Sequence, residues 1–209
     1  MKRTEEILKR LDNQYGTSDR CYLNYSRPYE LLIATMLSAQ CTDARVNKVT
    51  EDLFKKYRSV DDFACADIRE LEKDIESVGF YHTKAQHVKE CCSILAEKYA
   101  GEVPSDIDSL TSLPGVGRKT ANVVRGHVFG KPSVVVDTHV KRLSNRLGLT
   151  VEQDPVKIEF DLMKKIPEEH WILINLQLIR HGREICHARH PECGRCFLND
   201  ICPSKDIKV

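Results

Sequence analysis

The chain has 209 residues, 41% of them hydrophobic and 30% charged, a balance that supports a folded core and excludes intrinsic disorder and collagen-like repeats. No apolar run approaches the ~20 residues of a membrane span, and the charged, periodic N-terminus has no secretory core, so a cytoplasmic, reducing location with no membrane partner is expected. The net charge of +1 conceals an asymmetry: residues 51–110 carry 8 basic and 14 acidic side chains, residues 113–146 carry 7 basic and 1 acidic. A basic segment of that kind suits a polyanion partner, or else a plain solvated face.

Helical periodicity dominates the chain. Residues 43–57 place Val46, Val49, Leu53, Phe54 and Tyr57 on one stripe. Residues 67–78 repeat the pattern and stop at Gly79, and residues 82–100 repeat it and stop at Gly101. Ser105 reads as the cap of a short helix with Ile107 and Leu110. A helix over 118–129 follows, then one capped by Asp137 that ends at Gly148. Asp154-Pro155 reads as a cap with proline in the first turn, opening a helix to about Ile166. A last helix is expected over about 168–181. Val134–Val136 is the one strand-like run and is too short for a sheet. The fold class is all-α, and the best place for a domain boundary is the connection Lys131-Pro132-Ser133.

Nine cysteines are many for a reducing compartment. Cys21, Cys41, Cys65, Cys91 and Cys92 are scattered on helical positions and read as small buried apolar residues. Cys186, Cys193, Cys196 and Cys202 are different: they follow C-x6-C-x2-C-x5-C in a segment poor in core residues. Four clustered thiolates read as a metal site, either tetrahedral zinc or an iron–sulfur cluster. His181, His187 and His190 read as loop or helix-end residues.

Between two helices stands Leu113-Pro114-Gly115-Val116-Gly117-Arg118-Lys119. Its glycines make a tight turn whose backbone N–H groups open a helix, an arrangement that binds phosphate through peptide donors and the helix dipole. Gly115, Val116, Gly117 and Arg118 are the expected backbone-contacting residues. Lys119 reads either as one more phosphate contact or as a nucleophile, because the helix start and Arg118 both disfavour its protonated form. Eighteen residues on, Asp137 follows three valines. It reads as a helix cap that also holds a carboxylate in place.

Taken together, the segment LSAQCTD (37–43), the hairpin LPGVGRKTANVV, the segment VDTHV, His181-Gly182-Arg183 and the cysteine spacing resemble the endonuclease III family of DNA glycosylases, over essentially the whole chain. The resemblance implies two helical domains with a DNA-binding cleft between them: a six-helix domain at 21–131 with the helix–hairpin–helix, and a second domain of 1–20 plus 132–209 with the cysteines. It implies a [4Fe–4S] cluster with a structural role, and Lys119 and Asp137 as the catalytic pair. The implied reaction is excision of oxidised pyrimidines through a lysine Schiff base, then β-elimination at the abasic site. The implied partner is double-stranded DNA containing damaged pyrimidines or abasic sites, bound by a monomer that is nucleoid-associated in a prokaryote. Gln40 is expected to fill the gap left by the extruded nucleotide, Phe80 to take the place of an aliphatic wedge, and Arg189, in the loop 187–192, to approach the DNA backbone. Thr111 and Ser112 stand where the family often has an acidic residue. Two other readings remain: a mismatch-specific adenine glycosylase, which has no lysine at the position of Lys119, and a non-catalytic DNA-binding module, which has no need of Asp137.

Overall fold

The structure, a computed structural model, describes residues 2–205; the outermost residues of the expected 1–20 plus 132–209 domain, Met1 and 206–209, lie outside them. Every regular element among the described residues is helical. Chain contacts divide the molecule into two units, Cys21–Lys131 and Met1–Arg20 with Pro132–Val209.

The Cys21–Lys131 unit contains α2 (Pro28–Leu37), α3 (Asp43–Lys56), α4 (Val60–Cys65), α5 (Ile68–Asp74), α6 (Tyr81–Tyr99), α7 (Ile107–Thr111) and α8 (Arg118–Phe129). That is seven helical segments against the expected six; α4, α5 and α7 are one- or two-turn pieces, where a count depends on the boundary. α2 is the axis of the unit. Every residue from Tyr29 to Leu37 is buried, with no polar face, and α3, α6 and α8 pack around it. Pro28 starts it, and the Glu30 carboxylate accepts from the backbone N–H groups of Ser26 (2.7 Å) and Arg27 (3.1 Å). Phe63 of α4 is fully buried. Its ring stacks on Tyr57 at 4.8 Å between centroids and meets Tyr29 and Phe54 edge-on at 6.4 Å. Phe63→Ala would leave a void among three aromatic rings and is expected to cost about 3–5 kcal/mol, measured as a shift of the denaturation midpoint.

Gly101 closes α6 as expected: its φ is +82° and its N–H donates to Leu95 O at 2.9 Å, with Ala100 before it also left-handed (φ 52°). The start of α7 differs from expectation. The cap of α7 is Asp106, accepting from Ser109 N at 2.7 Å, in place of Ser105. Both residue types cap well, and the longer carboxylate one position on is the one that reaches the first-turn donor.

The other unit contains α1 (Lys2–Tyr15), α9 (Thr138–Arg146), α10 (Pro155–Lys165) and α11 (Trp171–Glu184) around a core that includes Ile7, Leu11, Leu143, Ile158, Ile174 and Leu178. α10 begins as expected, Asp154 accepting from the N–H groups of Val156 and Lys157 at 3.0 Å. α11 starts later and ends later than expected: Glu168–His170 form a 3-10 turn, and the helix runs on to Glu184. The Trp171 indole N–H donates to Ile166 O at 2.9 Å, fixing the chain where the helix begins.

Candidate active site and cluster pocket

In the Cys21–Lys131 unit the hairpin joins α7 to α8. Leu113 and Val116 are buried and anchor it in the core. The Val116 side chain points inward, and its N–H donates to Leu113 O at 3.1 Å, closing the turn. What remains outside is Gly115, Gly117 and Lys119, all exposed, and Arg118, half-exposed. Gly117 occupies the cap position of α8 and supplies no side-chain acceptor. The first-turn N–H groups of α8 therefore have no partner from their cap, which leaves them suited to an anion. Lys119 is the second residue of that turn.

Gly115 is required for two reasons. Its φ is +73°, and a Cβ there would lie 2.8 Å from Cβ of His87 on α6. Gly115→Ala would push the hairpin off α6 in a left-handed conformation, which costs of order 1–3 kcal/mol for a non-glycine residue. The expected result is a lower melting temperature together with weaker binding to any duplex, damaged or intact, read by a fluorescence titration.

Gln40 and Phe80 lie at one pocket with Gly115, lined also by Met36, Lys84 and His87. Both are left-handed, Gln40 with φ 54° and Phe80 with φ 50°. Both are exposed, Phe80 by 68%. Such conformations are uncommon for these residue types and persist where the surroundings impose them. Lys84 and His87 were not singled out from sequence. Lys84 sits one turn before Val88 on the apolar stripe of α6, and that misplaced charge was its one signal.

In the other unit, Asp137 caps α9, its Oδ1 accepting from Val140 N at 2.8 Å, and the side chain is half-exposed. The valine run before it is fixed by Asn175 of α11, whose side-chain amide donates to Val135 O at 2.8 Å; nothing in the sequence marked Asn175. The ring nitrogen of His139 lies 3.2 Å from Arg142 Nη2, a structural contact. Gly182 admits that ring: a Cβ there would lie 2.4 Å from His139 Nδ1.

Cys186, Cys193, Cys196 and Cys202 line one pocket, together with Arg146 and His181. His181 lies in the last turn of α11, as the helix-end reading expects. It is buried within α11, with Nδ1 3.0 Å from Tyr15 Oη and Nε2 3.6 Å from Cys196 Sγ. Burial pushes its pKa down to about 4, so the ring is neutral. Arg146 donates to Cys186 Sγ (3.4 Å) and to the carbonyls of His187 (2.7 Å) and Ala188 (2.9 Å), tying loop to pocket. His187 Nε2 lies 3.2 Å from Glu192 Oε1, and Arg189 and His190 are exposed. Among the described residues no three His, Cys, Asp or Glu side chains are grouped closely enough to hold one metal ion. Four thiols lining one pocket are a donor set that fits an iron–sulfur cluster, as it would a tetrahedral zinc. Of the other cysteines, Cys91 and Cys92 are buried, and burial pushes the Cys91 thiol up to about 12. Cys21 and Cys41 are half-buried, and Cys65 is exposed, contrary to the reading of all five as core residues.

Residues 33–168 match the profile of the HhH-GPD superfamily of base excision DNA repair proteins, and residues 186–202 match the iron–sulfur binding domain of endonuclease III. The chain is 50% identical to endonuclease III of Synechocystis sp. over 97% of its own length and 93% of the relative's, and 44% identical to that of Bacillus subtilis over 97% and 92%. It superposes with a TM-score of 0.92 and 45% identity on a trapped endonuclease III–DNA covalent intermediate, covering 98% of this chain and 96% of that one. The chain belongs to the endonuclease III family of base excision repair enzymes, DNA glycosylases with abasic-site lyase activity whose cofactor is a [4Fe–4S] cluster. A second solved relative at TM-score 0.92 is a non-covalent endonuclease III–DNA complex, and no helix among the described residues is long and apolar enough to cross a membrane.

Proposed function

We propose that this chain, acting as a monomer, removes oxidised pyrimidines from duplex DNA and then nicks the abasic strand, with Lys119 as nucleophile and Asp137 as its electrostatic and proton-transfer partner. The observation that carries the reading is an exposed lysine in the first turn of a helix whose glycine cap supplies no acceptor. Peptide donors there hold a phosphate in a way independent of base sequence, and the lysine is presented beside it.

The sequence of events follows from those groups. Extruding the damaged nucleotide costs a few kcal/mol, least for a base that is already poorly stacked. Gln40 and Phe80 occupy the gap, and an apolar wedge such as Phe80 unstacks the neighbouring step. The Lys119 amine, in its neutral form, attacks C1′ of the sugar. The bond to the base breaks, and the base leaves with the electron pair and takes up a proton. The Asp137 carboxylate stabilises the positive charge that develops on the sugar and assists proton movement. The sugar ring opens to a Schiff base, which makes the C2′ proton acidic. Loss of that proton expels the 3′ phosphate, and water then releases Lys119. Cys186, Cys193, Cys196 and Cys202 would hold the [4Fe–4S] cluster, which supplies order to the loop 187–192 and so a defined place for Arg189 near the DNA backbone.

The test is borohydride trapping on a duplex carrying one oxidised thymine. A covalent protein–DNA adduct is the expected result. Binding without an adduct and without base release would leave a DNA-binding module and overturn the reading; adenine release opposite oxidised guanine would move the chain to the adenine-specific branch.

A further inference from the structure

Lys84 is 7% exposed and lies on the inward face of α6. Its Nζ donates to Leu37 O at 2.8 Å and to Val78 O at 3.0 Å. Leu37 is the last residue of α2, where helix carbonyls have no partner within the helix and carry its partial negative charge. Val78 ends the 3-10 turn before Gly79. The chain passes from Leu37 to Gln40 in three residues, and from Val78 to Phe80 in two. One buried ammonium thus joins the roots of the two segments that carry the left-handed, exposed side chains at the pocket.

A buried charge is an expensive filler, and an apolar side chain of the same length would pack there without desolvation cost. The arrangement gains sense if the spacing of the two segments matters. We propose that Lys84 is a positioning residue for base extrusion, fixing the Gln40 segment to the Phe80 segment so that both side chains enter the duplex together. The proposal rests on the assignment of Gln40 and Phe80 to the DNA interface.

Lys84→Met keeps the stem and removes the donors; Lys84→Arg keeps a donor group. Both are made in the holo-protein, and rates are taken per molecule of cluster-loaded, folded enzyme. Two substrates are compared under single-turnover conditions: a duplex with one abasic site, and the same abasic strand alone, which has no partner strand to unstack. Lys84→Met is expected to slow the duplex reaction roughly tenfold or more, since unstacking a step is a matter of a few kcal/mol. The single-strand rate should stay within about twofold, and Lys84→Arg should recover most of the loss. Equal losses on both substrates, or an unchanged duplex rate, would overturn the proposal. A second measurement reads unstacking with no chemistry: fluorescence of 2-aminopurine beside the lesion as enzyme binds. Lys84→Met should lower that signal, and should lower it no further in a Gln40→Ala, Phe80→Ala background. An additive loss there would overturn the proposal. Because this signal does not depend on Lys119, it judges Lys84 even if the nucleophile assignment fails.

Discussion

Lys119→Gln should abolish borohydride trapping, base release and strand nicking together, by roughly 10³-fold or more, the scale on which loss of an attacking group acts. In the proposed reaction one residue serves both bond-breaking steps, so both fall at once. Stability should move the other way. Lys119 is exposed in the first turn of α8, where a positive charge opposes the helix dipole and its removal is worth about 0.3–1 kcal/mol in favour of folding. Lysine and glutamine have similar helix propensity. The variant should therefore melt at or slightly above the temperature of the parent. DNA affinity should fall only modestly, with the salt dependence of binding reduced by about one phosphate contact. An inactive protein that is at least as stable and still binds damaged duplex separates the nucleophile from a structural lysine. A folded variant that nicks at the parental rate would remove Lys119 from the chemistry.

What could be read from the sequence depended on whether a residue's role is fixed locally. α8 was legible at both ends because Gly117 and Gly130 are local start and stop chemistry, and α10 at its start because of the pair Asp154-Pro155. α2 was not read at all. It is buried on every side, so it shows no stripe, and hydrophobic periodicity cannot separate a central helix from an apolar run. α4 is too short to display a period. In the site the same division holds. The cysteine spacing is a local pattern, and all four cysteines do line one pocket. Val116 looked like a loop residue because its neighbours are glycines, but its burial is decided by packing against the rest of the unit. Lys84 and Asn175 act on carbonyls 47 and 40 residues away. Nothing near them in the chain announces that, and an isolated lysine or asparagine on a helix ordinarily faces water. Cys65 errs in the other direction: the end of a short helix leaves it exposed.

Asp137 has two duties in this reading, and suitable substitutions separate them. Its carboxylate accepts from Val140 N at 2.8 Å and so caps α9. Asparagine caps about as well as aspartate, so Asp137→Asn loses only the interaction of the charge with the helix dipole, about 0.3–1 kcal/mol. Asp137→Ala loses the cap as well, typically a further ~1 kcal/mol. Asp137→Ser retains a capping oxygen without a charge. If the carboxylate stabilises charge on the sugar and moves protons, all three variants should lose turnover alike, by roughly 10²–10⁴-fold, although their melting temperatures differ in the order Asn and Ser above Ala. If Asp137 is a cap and nothing more, activity should follow stability, with Asn and Ser close to the parent and Ala impaired. Single-turnover base release at a temperature well below every melting transition decides between the two. Trapping on a preformed abasic site adds a second discrimination. There the base is already gone, so a charge needed mainly for base departure should matter less than on the intact lesion. The ratio of the two losses for Asp137→Asn would then measure how much of its effect belongs to breaking the glycosidic bond.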